Sequence, residues 1–452
     1  RSKTIHALTI TKYGSSLLDL KTLSTIEREP ILLPLNMDHQ KSTTQKFHHP
    51  LPPPLLTKRH HLYFLSFLVF FSSSIFLFYL VFPLQPLSLF RIFFSKKIPQ
   101  KPHGPCDYSH GRWVRDEGHK LSSYTEDCPF LDPGFRCRSS GREDVEYMNW
   151  RWQPEGCDLP RFNARDMLER SRNGRIVFAG DSIGRNQWES FLCLLVQGVS
   201  NKSTIYEENG SPITKHKGFL SMRFGEYNLS VEYYRDPFLV DIGRPPKNSS
   251  ADVRTTIKVD RLHWYSKKWV GANVLVFNGG HWWNKDKTVK KGIYFEEGGV
   301  VNRSLSVMEA FRKSLETLKS WAVENLDMET SHLFFRSYSP SHYRNGSWND
   351  GGRCDLDMQP ETNKSRLEPE PRSDKFVSSV IQRMKHGNRK VRFLDITTLS
   401  EIRFDGHPSI HREPGTMLPA PQDCSHWCLP GVPDTWNEIL YAHLVSMGFR
   451  TK

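Results

Sequence analysis

The first 105 residues of this 452-residue chain contain no cysteine, no Asn-x-Ser acceptor for glycosylation and only four of the 49 acidic residues. They therefore carry a net charge of +9, while the remaining residues carry only +4. Because the positive charge lies mostly in this terminal part, we expect no nucleic-acid partner.

Motifs for a metal or a resident cofactor are also missing. The sequence contains neither HExxH nor a group of cysteines and histidines at the spacing of metal ligands. We therefore expect no bound metal and no bound cofactor. Any chemistry must then come from the side chains and the substrates.

Charged residues are absent from the 21 residues 62–82, LYFLSFLVFFSSSIFLFYLVF. This length matches the roughly 20 apolar residues that a helix needs to cross a bilayer, which predicts a transmembrane signal-anchor; a buried helix is the alternative. All eight cysteines and all seven Asn-x-Ser sequences follow this segment, as is typical of an oxidising lumen. We expect a type II single-pass glycoprotein with a cytosolic tail over residues 1–61. Residues 1–36, before the first methionine, are interpreted as a leader or a gene-model extension.

The rest of the chain is interpreted as three parts. Residues 83–105 mix proline with basic and apolar residues and predict a stem. Residues 106–163 contain four of the cysteines and predict a small region that depends on disulfides. In residues 164–452, short apolar runs alternate with helical patterns, which predicts a three-layer α/β/α domain with a mostly parallel sheet. An aromatic-rich, alternating residue pattern over residues 219–240 predicts additional strands.

One helix and one helix start can be assigned closely. An apolar stripe at spacings of three and four predicts a long amphipathic helix. Its members are Val307, Phe311, Leu315, Leu318, Ala322 and Leu326. Near the carboxyl terminus, Thr435 followed by Glu438 predicts a capping box that opens a final helix.

The stretch RIVFAGDSIGRNQW, residues 175–188, runs from an apolar strand through Gly180, Asp181 and Ser182 into a helical pattern. Open α/β sheets bind ligands at the carboxyl ends of their strands. A serine there can be a nucleophile whose own N–H helps to stabilise an oxyanion. It can equally be a cap for the helix, and the tripeptide alone does not separate these interpretations.

A serine nucleophile needs a base and a group that orients the base. Asp423 and His426 lie three residues apart in PQDCSHWCLPGVPDTWNEIL, a spacing that can turn both side chains to one side of a turn. Together with Ser182 they form a candidate triad. The alternative is an exposed histidine beside an incidental aspartate.

The combination of GDS with DxxH near the carboxyl terminus resembles the GDSL or SGNH hydrolase superfamily. Longer blocks, such as CDYSHGRWVRD, DVEYMNWRWQPEGCDLPRFN and GDSIGRNQWESFLCLL, resemble the plant trichome birefringence-like (TBL, PC-esterase) family over most of residues 106–448. The resemblance implies an SGNH-like fold and a Golgi polysaccharide O-acetyltransferase with Ser182, His426 and Asp423 as its triad.

The implied reaction transfers an acetyl group from a donor, acetyl-CoA or an acetylated carrier, to a hydroxyl of a plant cell-wall polysaccharide. It proceeds through acetyl-Ser182. Within the family, the GGHWW motif of this chain resembles the branches linked to pectin more than those linked to xylan. Pectin is therefore the first expected acceptor and xylan the next. A polysaccharide acetyl esterase with the same triad and a non-catalytic protein that binds wall glycans are the alternatives.

Further site residues are assigned as candidates. The expected oxyanion donors are the N–H of Ser182, Asn278, which resembles the asparagine block of the superfamily, and Gly218. A packed histidine explains His281 equally well, and a structural ion pair is the alternative for Arg336 and His342. The full set of candidates for substrate contact is Arg185, His281, Trp282, Trp283, Arg336 and His342.

The cysteine pairing cannot be read from the sequence, because eight cysteines allow 105 connectivities. The first three cysteine segments resemble the disulfide-rich amino-terminal region of the family. The pairing expected on that basis is Cys106–Cys157, Cys128–Cys193, Cys137–Cys428 and Cys354–Cys424.

Overall fold

The computed structural model describes residues 106–451 apart from 117–123, 328, 363–364, 366, 368–371, 386–389, 414 and 418–419, together with Val69 and Ser72. The elements below belong to the unit Pro99–Lys452. The predicted tail, membrane segment and stem lie outside the described residues, except for Val69 and Ser72. No helix among the described residues is long and apolar enough to cross a bilayer.

Strands and helices are numbered in chain order. The strands are β1 (Gly111–Arg115), β2 (Trp150–Pro154), β3 (Arg175–Gly180), β4 (Ile205–Glu207), β5 (Phe219–Phe224), β6 (Leu229–Arg235), β7 (Val240–Gly243), β8 (Thr255–Leu262), β9 (Val274–Asn278), β10 (Ile293–Glu297), β11 (Val300–Asn302), β12 (His332–Arg336) and β13 (Val391–Leu394). The α-helices are α1 (Ala164–Arg170), α2 (Ser182–Val196), α3 (Ser266–Trp269), α4 (Val307–Asn325), α5 (Arg372–Met384), α6 (Thr397–Glu401) and α7 (Val432–Ser446).

A seven-stranded sheet with the order β13-β12-β9-β3-β6-β5-β4 supports the domain. Strands β13, β12, β9, β3 and β6 run parallel to one another, whereas β5 pairs antiparallel with β6 and with β4. The predicted α/β domain with a mostly parallel sheet is therefore confirmed. The additional strands expected over residues 219–240 are β5 and β6.

Helices cover both faces of this sheet because its central strand β3 is apolar on both sides. Ile176 and Phe178 pack with α2 and α7 in one core, and Val177 and Ala179 pack with α4 and α5 in another. All four are at most 1% exposed, and full burial of a large apolar side chain contributes about 1.5–3 kcal/mol. Parallel strands buried on both faces are continuously apolar, which explains the run RIVFAG.

The predicted apolar stripe is the buried face of α4, and that prediction is confirmed. The predicted start of the final helix is wrong. Helix α7 begins at Val432, three residues before Thr435, because Gly431 precedes it and the Gly431 N–H donates to Asp434 Oδ2 at 2.9 Å. Pro433 is compatible with this first turn, where its missing N–H has no helical partner.

A second, four-stranded sheet with the order β11-β10-β8-β7 was not expected from the sequence. In it β10 is parallel to β8, and the other pairs are antiparallel. The amino-terminal region adds the antiparallel pair β1 and β2. Trp113 of β1 donates its Nε1–H to Leu399 O at 2.8 Å, which joins this region to the main domain.

Four disulfides are formed: Cys106–Cys157, Cys128–Cys193, Cys137–Cys428 and Cys354–Cys424. They are the same four pairs that were expected. Two of them tie the amino-terminal region to elements that carry candidate site residues. Cys193 lies in α2, which begins at Ser182, and Cys428 lies two residues after His426.

Candidate active site

The serine of the GDS corner is the first residue of α2, directly after Asp181. Asp181 is the residue that caps the helix, because its Oδ1 accepts a hydrogen bond from Ile183 N at 3.0 Å. The alternative in which Ser182 caps the helix is therefore wrong. Gly180 is required for the close approach of β9, since a Cβ there would lie 2.0 Å from Asn278 Oδ1.

The Asp181 carboxylate is completely buried and is held by the ends of β9 and β12. It accepts a hydrogen bond from Asn278 Nδ2 at 2.6 Å, and its Oδ2 lies 3.5 Å from His281 Nδ1. Burial acts to raise the pKa of Asp181, but His281 and Arg336 outweigh it and hold this pKa well below its usual range. The ionised carboxylate of Asp181 therefore caps α2 and fixes the turn, and the Ser182 hydroxyl remains available for chemistry.

His426 and Asp423 form a hydrogen-bonded pair in the loop before α7. His426 Nδ1 lies 2.8 Å from Asp423 Oδ2 and 3.1 Å from Oδ1. Asp423 Oδ1 also accepts from the N–H groups of Ser425 and His426. With Nδ1–H donated to the carboxylate, the other ring nitrogen of His426, Nε2, is the one that can accept a proton.

The two members of this pair have opposed pKa shifts. Burial acts to lower the pKa of His426, but the neighbouring carboxylate of Asp423 outweighs it, so this pKa is raised above its ordinary value. Burial acts to raise the pKa of Asp423, but the charge and hydrogen bond of His426 hold it well below its usual range. The carboxylate therefore stays ionised while His426 is made a stronger base.

The three members of the candidate triad line one cavity of about 320 Å³. The structure thus brings together side chains that are more than 240 residues apart in the sequence. The other residues that line the cavity are Asp132, Gly134, Phe135, Arg185, Lys215, His216, Tyr233, Arg235, Arg412 and Glu413.

The loop that carries His426 is fixed by buried side chains. Asn186 of α2 accepts from Trp427 N at 2.7 Å and donates to Trp427 O at 3.1 Å. His407 donates its Nδ1–H to His426 O at 2.6 Å and accepts at Nε2 from His342 Nδ1 at 2.7 Å. Burial lowers the pKa of His407 to about 4, so the ring is neutral and can act as both donor and acceptor.

Arg185 is the one substrate candidate from the sequence that lines this cavity. It is 3% exposed, and its Nη2 lies 2.8 Å from Asp132 Oδ2 and 2.6 Å from Glu189 Oε1. Its guanidinium is therefore already engaged with Asp132 of the cavity wall and with Glu189, which is buried behind the wall.

The two further oxyanion candidates are not among the described residues that line the cavity. Asn278 is 2% exposed and donates its amide N–H to the Asp181 carboxylate, so it stabilises the GDS corner and does not line the cavity. Gly218 lies beside β6, where its carbonyl accepts from Arg235 N at 2.8 Å. The N–H of Ser182 remains in place at the start of α2, where the helix supplies no acceptor for it.

The expected aromatic platform is not at the cavity. Trp283 is 4% exposed and packs against Phe295 and Phe311 in the core below the sheet. Trp282 is half-buried and contacts Phe238, which belongs to the same core. Neither ring lines the Ser182 cavity, because both pack against the apolar core after β9.

The remaining three candidates also lie outside the lining of the cavity. His281 stacks on Tyr338 and bonds through Nε2 to Ser339 O at 2.7 Å. Arg336 is 1% exposed and donates to Ile183 O beneath α2, and its burial lowers its pKa to about 10. His342 is 4% exposed and stacks on Phe404. These residues support the corner and the His426 loop and do not line the cleft.

Sequence reasoning did not assign three residues that organise the site. Asp181 has a recognisable signal, because aspartate directly before a helical pattern is a common cap. Asn186 and His407 have none, since the groups that they contact lie 19 to 241 residues away in the sequence. Among the described residues, no group of three or more His, Cys, Asp or Glu side chains is arranged to hold a metal ion.

The chain matches two family models. One is PC-esterase, described as a GDSL/SGNH-like acyl-esterase family found in Pmr5 and Cas1p, over residues 159–443; the other is the PMR5 N-terminal domain, over residues 104–158. Protein trichome birefringence-like 9 of Arabidopsis thaliana is 63% identical over 352 residues, which cover 77% of this chain and 85% of that protein. Protein trichome birefringence-like 6 of the same plant is 46% identical over 345 residues, 75% of this chain and 70% of that protein.

Proposed function

The chain belongs to the trichome birefringence-like family within the GDSL/SGNH-like superfamily, and from that premise we propose that it is a polysaccharide O-acetyltransferase that uses Ser182, His426 and Asp423. The single observation that carries this proposal is the cavity that all three side chains line. Within it, Asp423 engages one ring nitrogen of His426 and leaves the other for proton transfer.

The first half of the reaction forms an acetyl-enzyme. His426 Nε2 takes the proton of Ser182 Oγ while Oγ attacks the carbonyl carbon of the acetyl donor. The Ser182 N–H at the start of α2 donates to the developing oxyanion. The bond to the leaving group of the donor then breaks, and His426 returns the proton to that group. Asp423 keeps the imidazole in the required tautomer and stabilises its cationic form.

The second half consumes this ester. A hydroxyl of the polysaccharide loses its proton to His426 Nε2 and attacks the acetyl carbonyl, and Ser182 recovers the proton as the ester bond breaks. Transfer must compete with water, so the acceptor has to be held close to the ester, and correct orientation can supply several kcal/mol of the barrier. The donor that we propose is acetyl-CoA or an acetylated carrier, with no bound cofactor.

The proposed acceptor is pectin, with xylan as the next choice, and the proposed location is the Golgi membrane. There the chain would be a type II single-pass glycoprotein whose catalytic part faces the lumen. The support for this location is the order of the uncharged segment 62–82, the cysteines and the Asn-x-Ser sequences. An acetyl esterase would use the same triad, with the acetylated polysaccharide as the donor, its sugar hydroxyl as the leaving group and water as the acceptor.

The test uses the full chain with acetyl-CoA or 4-nitrophenyl acetate as the donor. De-acetylated pectin and xylan oligosaccharides are supplied in one reaction, and their acetylated forms are supplied without a donor in another. We expect a gain of acetyl ester in the first, abolished by Ser182→Ala and retained by Ser446→Ala, an exposed serine at the end of α7. Ester loss from the acetylated forms without any gain would identify an esterase. Neither gain nor loss of acetyl ester with wild type or Ser182→Ala would favour the non-catalytic glycan-binding protein.

A further inference from the structure

The wall of the Ser182 cavity carries more positive charge than its own carboxylates neutralise. Three of its cationic or titratable groups have carboxylate partners within the wall. These pairs are Arg185–Asp132, Lys215–Glu413 and His426–Asp423. Two guanidinium groups that line the same cavity, those of Arg235 and Arg412, have no carboxylate partner among the described residues.

Arg235 ends strand β6 beside the GDS corner. Its Cα pairs with that of Gly180 in the parallel register of β6 and β3, two residues before Ser182. Since alternate residues of a strand share a face, Arg235 follows Tyr233, which also lines the cavity and donates its hydroxyl to Asp181 O at 3.0 Å. The side chain is exposed, so a substrate can reach it without displacing an internal partner.

Arg412 approaches the cavity from the loop before Asp423. Its Nη1 donates to Pro421 O at 2.5 Å, which steadies the side chain without neutralising its charge. The neighbouring Glu413 is paired with Lys215. Both unneutralised guanidinium groups therefore border the same space as the Ser182 hydroxyl.

We propose that Arg235 and Arg412 form a subsite for the carboxylate of a uronate unit in the acceptor polysaccharide. This inference rests on the proposed acetyl transfer and narrows its acceptor to an acidic glycan. A guanidinium presents a planar fork of donors that matches a carboxylate and keeps its charge at every physiological pH. A neutral glycan would leave both charges at the cavity without a counter-ion.

The acceptor is favoured over the donor as the source of the anion because of its dimensions. In a hexuronate, the carboxylate and the hydroxyl groups that can accept an acetyl group belong to the same sugar ring. In acetyl-CoA, the whole pantetheine arm separates the thioester from the phosphates. Arg235, at the end of the strand next to β3, is therefore placed to bind the carboxylate of the same sugar whose hydroxyl is to be acetylated.

The test measures binding in a Ser182→Ala background of the full chain, so that it does not depend on turnover. De-acetylated oligogalacturonide is compared by calorimetry with the same oligosaccharide after chemical reduction of its carboxylates. We expect the uronate form to bind about tenfold more tightly at low salt, and this preference to fall with added salt. Arg235→Gln and Arg412→Gln should each weaken uronate binding about tenfold and leave binding of the reduced form unchanged.

Arg303→Gln is the matched control, since this exposed arginine pairs with Asp252 and does not line the cavity. Equal binding of the two oligosaccharides, or equal losses for both in the Arg235 and Arg412 variants, overturns the subsite. A loss of acetyl-CoA binding alone in these variants overturns it in favour of the donor phosphates. Uronate binding that needs both arginines, in a chain that transfers no acetyl group, would retain the subsite and reject the proposed function.

Discussion

The side-chain amide of Asn186 holds the backbone of Trp427 by both its donor and its acceptor, at 3.1 Å and 2.7 Å. Asn186 lies one helical turn after Ser182, and Trp427 directly follows His426. Both Asn186 and Trp427 are completely buried. This pair of hydrogen bonds thus connects the helix of the candidate nucleophile to the loop of the candidate base.

Asn186→Ala should lower kcat at least tenfold and change KM little, because it frees the His426 loop from α2. It should also lower the free energy of unfolding by about 2 kcal/mol, since a buried N–H and a buried C=O lose their partners. Acetyl transfer and urea unfolding measure the two effects. Asn325→Ala, at an exposed hydrogen bond at the end of α4, is the control. A variant with wild-type kcat would show that the connection does not position the base.

Asp423→Asn should lower kcat about 10³- to 10⁴-fold, as expected when a catalytic histidine loses the group that sets its tautomer. The change also alters the pH profile. His426 must be neutral to act as a base, so activity rises through its pKa. The Asp423 carboxylate raises that pKa, so the wild-type midpoint should lie above about 6.5, the ordinary value for histidine.

In the Asp423→Asn variant the raising charge is lost and burial remains, so the midpoint of the residual activity should move to lower pH. The measurement is kcat/KM for acetyl transfer between pH 5 and pH 9. Asp252→Asn, which removes a surface partner of Arg303, should leave the profile unchanged. A midpoint that stays at the wild-type pH would contradict the assignment of Asp423 as the partner of the base.

The disulfide Cys137–Cys428 should matter more for stability and activity than Cys106–Cys157. It closes a loop of 291 residues against 51, which in the chain-entropy view is worth about 1.5 kcal/mol more. It also fixes the residue two positions after His426. We expect the variant in which Cys137 and Cys428 are both replaced by serine to lose more in Tm and in kcat than the variant in which Cys106 and Cys157 are both replaced. Thermal unfolding and acetyl transfer measure the two effects. Equal losses would contradict a special role for this link.

Much of the site could be predicted from the sequence because its signals are local. An apolar strand, a tight corner and a helix placed Ser182 at the carboxyl edge of the sheet, and the spacing of Asp423 and His426 placed them on one turn. Burial of individual side chains could not be predicted in the same way. Trp283 follows β9 and Arg336 is the last residue of β12, both at this edge of the sheet. Only the packing of helices against the sheet determines that their side chains are buried.

The second sheet and the start of α7 show the same limit. Strands β8 and β10 pair in parallel although a strand of the main sheet, β9, lies between them in the chain, so no local pattern joins them. At α7, Thr435 and Glu438 fit a capping box, but the carboxylate of Asp434 reaches back to Gly431 and begins the helix earlier.

The most direct test of the central claim is the detection of acetyl-Ser182. The full chain is mixed with 4-nitrophenyl acetate or acetyl-CoA, quenched and digested, and the peptide that contains Ser182 is measured by mass spectrometry before and after addition of de-acetylated pectin oligosaccharide. We expect one acetyl group on Ser182 that disappears as the oligosaccharide gains an equal amount, and no such label in Ser182→Ala. Acetyl transfer that persists in Ser182→Ala, without a label on Ser182 in the wild type, would contradict the account.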